Sequence, residues 1–136
     1  MCCVLDTNVI VSAFLKTNSI PSEVLSKVYD GFLTPIISAG IIEEYIEVLH
    51  RNKFNFSHKV IDEFIDFLNN YALKIDSDDK LDINVLDPED VVFYQVTMKA
   101  RKKENTYLVT GNLKHFPKKT YIVTPRQMLD IIENNT

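Results

Sequence analysis

The stretch VLDTNVIVSAF, Val4 to Phe14, places one acid, Asp6, between two apolar runs. Charged residues are rarely fully buried unless they are paired or bind a metal. Met1 to Leu5 reads as a short buried strand ended by Asp6-Thr7-Asn8, and Val9 to Lys16 reads as a short helix. A strand passing at once into a helix is the start of a parallel α/β unit, and the acid then sits where strand becomes helix.

The rest of the chain repeats that alternation. Ser19-Ile20-Pro21 opens a second helix, with Pro21 in its first turn and Gly31 as its stop. Leu33 to Ile37 is the next strand, and Ser38 caps a helix running to about His50. From Ser57 to Tyr71 the apolar residues Val60, Ile61, Phe64, Ile65, Leu68 and Tyr71 recur at helical spacing. A short strand is expected at Ala72 to Ile75, then a polar, acidic loop at Asp76 to Asp82. Pro88-Glu89-Asp90 starts a helix to about Lys103, and Thr106 to Thr110 is a strand. Gly111 to Lys119 reads as a loop, Thr120 to Val123 as a strand and Pro125 to Glu133 as a closing helix. This order argues for a parallel sheet covered by helices on both faces, in a single domain spanning residues 1–136.

Bulk composition agrees. A chain of 136 residues, 46% hydrophobic and 25% charged, can build one core without staples. The net charge of −4 argues against a generally basic nucleic-acid coat but allows a local basic rim around an acidic pocket. Cys2 and Cys3 are adjacent on a strand, so they point to opposite faces and are not expected to pair with each other. Free thiols, no secretory pattern and no apolar run of membrane-spanning length lead to the expectation of a soluble, cytoplasmic protein.

In a doubly wound sheet the ligand crevice lies outside the carboxyl ends of the strands. Asp6 and Asn112 both follow strands at that end, and Asp90 opens a helix there. Among the acids of the third helix, Glu43 and Glu47 point away from its apolar stripe, whereas Glu44 lies on the border beside Ile41 and Val48. Glu44 is therefore either a solvated flank residue or a group that reaches the crevice. The segment DPED is equally double-valued: common capping chemistry, with Asp87 the better cap, or a ligand, with Asp90 the better candidate. Two carboxylates about 4 Å apart in a half-buried site repel by roughly 4 kcal/mol at an effective dielectric of 20. Three such groups need protons or a cation, and oxygen donors select a hard one, Mg²⁺ or Mn²⁺. Such an ion suits phosphodiester hydrolysis.

Four segments together resemble the PIN-domain ribonucleases, the fold of many VapC-like toxins: VLDTNVIVSAF at the start, SAGIIEEYIEVL at 38–49, DPEDVVFYQVTMKA at 87–100 and YLVTGNLKHFP at 107–117. The resemblance implies a three-layer α/β/α domain of strand order 3-2-1-4-5 and cleavage of single-stranded RNA with Mg²⁺ or Mn²⁺. It places the family acids, as catalytic and metal-binding groups, on Asp6, Glu44 and Asp90. It puts Thr7, Asn8 and Thr110 at the polar positions that orient acids or waters. Many members carry an acid after the TG pair, where this chain has Asn112. A neutral oxygen there implies one well-held ion and a weaker second one. Lys114, His115, Lys118 and Lys119 follow on a loop that is either merely solvated or meets RNA phosphates. Lys99, Arg101, Lys102 and Lys103 are expected to serve the helix end, and His50 and His58 to lie on the surface. An antitoxin partner and a homodimer are further implications. The dimer would use the apolar surface of the Ile20–Leu33 region and the Ser57–Tyr71 helix.

Other chemistries lack their residues. The only glycines are Gly31, Gly40 and Gly111, so there is no P-loop or dinucleotide fingerprint. The second acid of an aspartyl-phosphate phosphatase and the paired acids of a phosphoacceptor domain are absent, as is a G-x-S-x-G elbow. The remaining rival is a catalytically weak PIN-like module that binds RNA or protein without cutting, a possibility raised by Asn112.

Overall fold

The structure is a computed structural model that describes residues 1–76 and 87–135. The chain runs β1 (Cys2–Leu5), α1 (Thr7–Leu15), α2 (Ile20–Tyr29), β2 (Thr34–Ile37), α3 (Ala39–Leu49), α4 (His58–Tyr71) and β3 (Leu73–Lys74). It continues with α5 (Pro88–Ala100), β4 (Thr106–Val109), a single 3₁₀ turn at Leu113–His115, β5 (Ile122–Val123) and α6 (Pro125–Asn134). The acidic loop expected at Asp76 to Asp82 lies, apart from Asp76, outside the described residues.

The five strands pair in parallel in the order β3-β2-β1-β4-β5. The three-layer expectation and its strand order are thus borne out. β1 is the central strand, and Cys2–Leu5 is buried along its whole length. α2 packs on α1 and on α6, α3 touches α1, α4 and α5, and α5 lies on β1, β2 and β4. The chain winds outward from β1 to β3, then returns to β4 on the other flank of β1. That reversal opens a crevice at the carboxyl ends of β1 and β4.

Local signals account for most boundaries. Ser38 accepts from the Ile41 amide at 3.1 Å and Ser57 from the Val60 amide at 3.2 Å. Thr124 and Gln127 form a reciprocal capping box at the start of α6. Ile61, Phe64, Ile65 and Leu68 of α4 are buried, which is the apolar stripe at work. α2 ends before Gly31, whose φ of 86° a side chain rarely tolerates.

The departures are local. α5 stops at Ala100, where Arg101 donates to the Thr106 carbonyl at 2.6 Å and lies over the Tyr121 ring. This cation therefore fastens the helix end to β4. β3 and β5 keep only the residues that reach a neighbouring strand. Asp87 occupies the cap position of α5 but makes no side-chain capping bond. Cys2 and Cys3 are buried and unpaired, and burial pushes the Cys3 thiol up to about 12. Among the described residues no helix is long and apolar enough to cross a membrane.

Candidate active site

Asp6 is 6% exposed, at the point where β1 gives way to α1. Its amide donates to the Val109 carbonyl at 2.9 Å, which carries the β1–β4 pairing one residue beyond the strands. Its carboxylate oxygen Oδ2 accepts from Thr110 Oγ1 at 2.7 Å and from Asn8 Nδ2 at 3.0 Å. Asn8 in turn accepts from the Gly111 amide, and Thr110 Oγ1 from the Asn112 amide, each at 3.0 Å. The two strand ends are knitted around one acid, although Asp6 and Thr110 lie 104 residues apart. Burial raises the Asp6 pKa; the Thr110 hydroxyl, the Thr7 amide, His115 and the Asn8 amide pull it back. Beside it Thr7 is buried, and its hydroxyl oxygen has no hydrogen-bond partner among the described residues.

Two contacts bring Glu44 to the same place. The next residue, Tyr45, is buried, and its phenol donates to the Leu5 carbonyl, tying α3 to the end of β1. On the other side α3 lies close to α5 at Gly40, where an added Cβ would meet Val92 Cγ2 at 3.0 Å. Glu44 is half-buried, whereas Glu43 and Glu47 are exposed, as the helical-face argument expects. Burial raises the Glu44 pKa, Glu89, Glu47 and Asp6 add repulsion, and Arg51 opposes them.

Asp90 sits in the first turn of α5 and is half-buried. Burial again raises its pKa, repulsion from Asp6, Asp87 and Glu89 adds to this, and His115 works against it. His115 Nδ1 lies 3.5 Å from the Asp90 carboxylate, while Nε2 lies 2.9 Å from the Asn112 side-chain amide. Asn112 is thus turned to His115 through its side chain and to Thr110 through its backbone.

Asp6, Glu44 and Asp90 line one cleft of about 310 Å³, together with Thr7, Asn8 and His115. Among the described residues no three of His, Cys, Asp and Glu are drawn together tightly enough to close around an ion. The acids face a shared open space instead. A larger hollow of about 630 Å³ lies near β3, lined by Glu43, Lys74 and Asp76 with apolar neighbours, and brings none of these acids together.

Not every expected residue joins the cleft. Lys114 and Lys118 are exposed beside Phe116, Pro117 and Ile122 in a separate hollow. Of Lys114, His115, Lys118 and Lys119, only His115 borders the acids. Conversely, Arg51, Phe54, Glu89 and Ser12 line the cleft without having been singled out from the sequence. Arg51 had a legible signal: Glu44, Val48 and Arg51 are spaced i, i+4, i+7, one helical face. Phe54 had none, because it lies on the α3–α4 connection, where no periodicity applies.

A PIN-domain family model matches residues 3–114. No curated protein matches the chain. A solved structure, VapBC2 from Rickettsia felis bound to a DNA fragment from their promoter, contains a similar chain. The two share 20% identity and superpose with a TM-score of 0.53 over 91% of this chain and 97% of that one. The family match, the strand order and the acid-bearing crevice at the reversal of the sheet agree, and this chain belongs to the PIN-domain family.

Proposed function

We propose that this chain is a Mg²⁺- or Mn²⁺-dependent endoribonuclease that cuts single-stranded RNA and is the toxin of a toxin–antitoxin pair. PIN domains are generally nucleases that use divalent metal ions. The observation that carries the proposal is the convergence of Asp6, Glu44 and Asp90, from three distant segments, on one cleft where each has a raised pKa. Mutual repulsion of this kind is relieved by a hard cation, and all three donors are oxygens. The unpartnered Thr7 hydroxyl supports the same reading, since a buried polar atom without a partner is costly.

Asp6, Glu44 and Asp90 would hold the ion, which when bound activates water and neutralises charge on phosphate oxygens. The chain's own residues do the rest. Thr110 and Asn8 hold the Asp6 carboxylate in one orientation, and Tyr45 keeps Glu44 against the end of β1. Asn112 and His115 form a pair at the rim, with the imidazole turned to Asp90. Lys114 and Lys118, exposed outside the cleft, meet RNA phosphates in this reading and position the strand without selecting sequence.

The structural neighbour is a VapBC assembly, which supports an antitoxin partner. A homodimer is part of the proposal. Tyr29, Phe32 and Tyr71 are exposed, Tyr71 by 70%, and Tyr29, Phe67 and Tyr71 form a run of ring contacts at 4.6 and 5.2 Å. An exposed aromatic patch of this kind suits an interface. Light scattering at micromolar concentration is expected to give twice the chain mass, and Tyr71→Ser to lower it.

The test of activity is cleavage of a mixed single-stranded RNA pool in Mn²⁺, with chelator and Asp6→Asn as controls. Cleavage that both controls abolish is the expected result; binding without cleavage in Mn²⁺ overturns it. That outcome would favour a module that binds without cutting, for which one observation speaks: Asn112, where many relatives carry an acid, is committed to His115.

A further inference from the structure

We propose that the Arg51–Phe56 connection is a nucleotide-docking lip, in which Phe54 stacks on a base of the RNA and Arg51 holds an adjacent phosphate. The inference rests on the nuclease reading and adds to it a binding subsite for one nucleotide.

The cleft has a charge problem that its acids cannot solve. Asp6, Glu44, Glu89 and Asp90 repel a polyanion, and Lys114 and Lys118 lie in a neighbouring hollow. Among the described residues lining the cleft, Arg51 is the one permanent cation. Its guanidinium is paired with Glu47 at 3.0 and 3.2 Å, and the two side chains are 41% and 61% exposed. An exposed pair of this kind is weak, and a guanidinium with five donors can keep one carboxylate while taking a phosphate.

Phe54 supplies the second element. Its ring lines the cleft and stacks on Phe56 with centroids 5.5 Å apart and planes 12° from parallel. Phe56 meets Phe14 edge-on at 5.3 Å, and Phe14 meets the buried Phe64 at 5.4 Å. A ladder of four rings therefore braces the lip against the core. Asn55, at φ 53°, turns the chain between the two stacked rings. The Lys53 ammonium lies over the Phe54 ring, 5.1 Å from its centroid, so a hydrated cation already reaches that ring. A nucleobase uses an aromatic face in the same way, and such stacking tolerates any base. A rigid ring beside a cation at the mouth of an acidic cleft is suited to a single strand, whose bases are unpaired.

The test is binding, not cleavage. A labelled single-stranded oligonucleotide and a matched abasic strand are titrated into the intact protein in chelator, followed by fluorescence anisotropy. Phe54→Leu, which keeps apolar volume, is expected to weaken the base-containing strand about tenfold and leave the abasic strand unchanged. Arg51→Gln is expected to weaken both strands and to lower the slope of log affinity against log salt by about 0.7. Equal affinity of wild type and Phe54→Leu for the base-containing strand, at unchanged thermal midpoint, overturns the stacking role. An unchanged salt slope in Arg51→Gln overturns the phosphate role. In either case, metal-dependent cleavage by the same variants leaves the nuclease reading standing. Loss of that cleavage in wild type, with lip-dependent binding intact, sinks the nuclease alone.

Discussion

Leu5 and Asp6 are adjacent and almost equally hidden, 3% and 6% exposed, yet burial acts on them in opposite senses. Through Leu5 the strand packs into a continuous apolar core, and each such side chain contributes on the order of 2 kcal/mol. At Asp6 burial disfavours the charged form and raises the pKa, and hydrogen bonds from Thr110 and Asn8 offset only part of that. The same central strand thus stabilises the fold along its body and concentrates unfavourable charge at its end. A fold tolerates such an end when something binds there.

Removing the charge breaks the contrast most directly. Asp6→Asn keeps an oxygen that can accept from Thr110 but loses the charge. RNA cleavage in Mn²⁺ is expected to fall about 10³-fold or more, equivalent to ~4 kcal/mol of transition-state stabilisation. Without metal, the thermal midpoint of the variant is expected to rise by about a few degrees. A variant less stable than wild type in chelator would show that the carboxylate stabilises the metal-free fold.

The opposite substitution strikes the body. Phe64 is buried on α4 and carries the edge contact to Phe14. Phe64→Ala is expected to cost about 3–5 kcal/mol in denaturant unfolding. The folded fraction should retain its Mn²⁺-induced rise in midpoint, since no cleft acid is touched. Loss of that rise in protein that is still folded would show that core and cleft are not separable.

Much of this division was legible beforehand, for physical reasons that differ by residue. Asp6 stood out because one acid interrupted two apolar runs, and Glu44 because helical geometry separates a border residue from Glu43 and Glu47. Ser38 and Ser57 announced their helices because a cap is a local chemical event. Phe54 and Glu89 were silent. A connection such as 51–57 has no period, and its path depends on which distant ring it meets, here Phe14. For the same reason the sequence did not reveal that Lys114 and Lys118 lie outside the acidic cleft. Following Asn112 in the sequence puts them near the crevice, but the 3₁₀ turn at Leu113–His115 sends only His115 toward Asp90.

The next effect is smaller and follows pH. Asp6, Glu44 and Asp90 have folded pKa values above the ordinary 3.8 for Asp and 4.5 for Glu. Raised values mean the folded state holds protons that the unfolded state has released. Their stabilising contribution is therefore full below the ordinary values and is lost as pH rises through the raised ones. A bound cation should restore what is lost. At one hundred times its dissociation constant, Mn²⁺ is expected to add about 2.7 kcal/mol at neutral pH. The added stability should shrink as pH falls toward 4, where protons compete for the same oxygens. A metal-induced rise in midpoint equal at pH 7 and pH 4.5 would place the ion elsewhere.

The smallest expected change in stability probes how α3 delivers Glu44. Gly40 sits inside α3, where alanine would improve helix propensity by about 1 kcal/mol. The new Cβ would stand 3.0 Å from Val92 Cγ2 on α5, so one of the helices must shift or the Val92 side chain must turn. Overpacking of this kind costs about 1–3 kcal/mol, leaving a net loss of about 0–2 kcal/mol. The catalytic effect should be out of proportion to that loss. Glu44 lies one turn after Gly40 on the helix that Tyr45 ties to Leu5, and Asp90 lies just before Val92 on the opposing helix. A shift of α3 against α5 changes the separation of two of the three acids while leaving Asp6 in place. Gly40→Ala is therefore expected to lower kcat about tenfold, with weaker Mn²⁺ dependence, while the thermal midpoint falls by no more than about 8 °C. Unchanged kcat, with Val92 simply rotated aside, would show that the α3–α5 approach is packing and does not set the spacing of the acids.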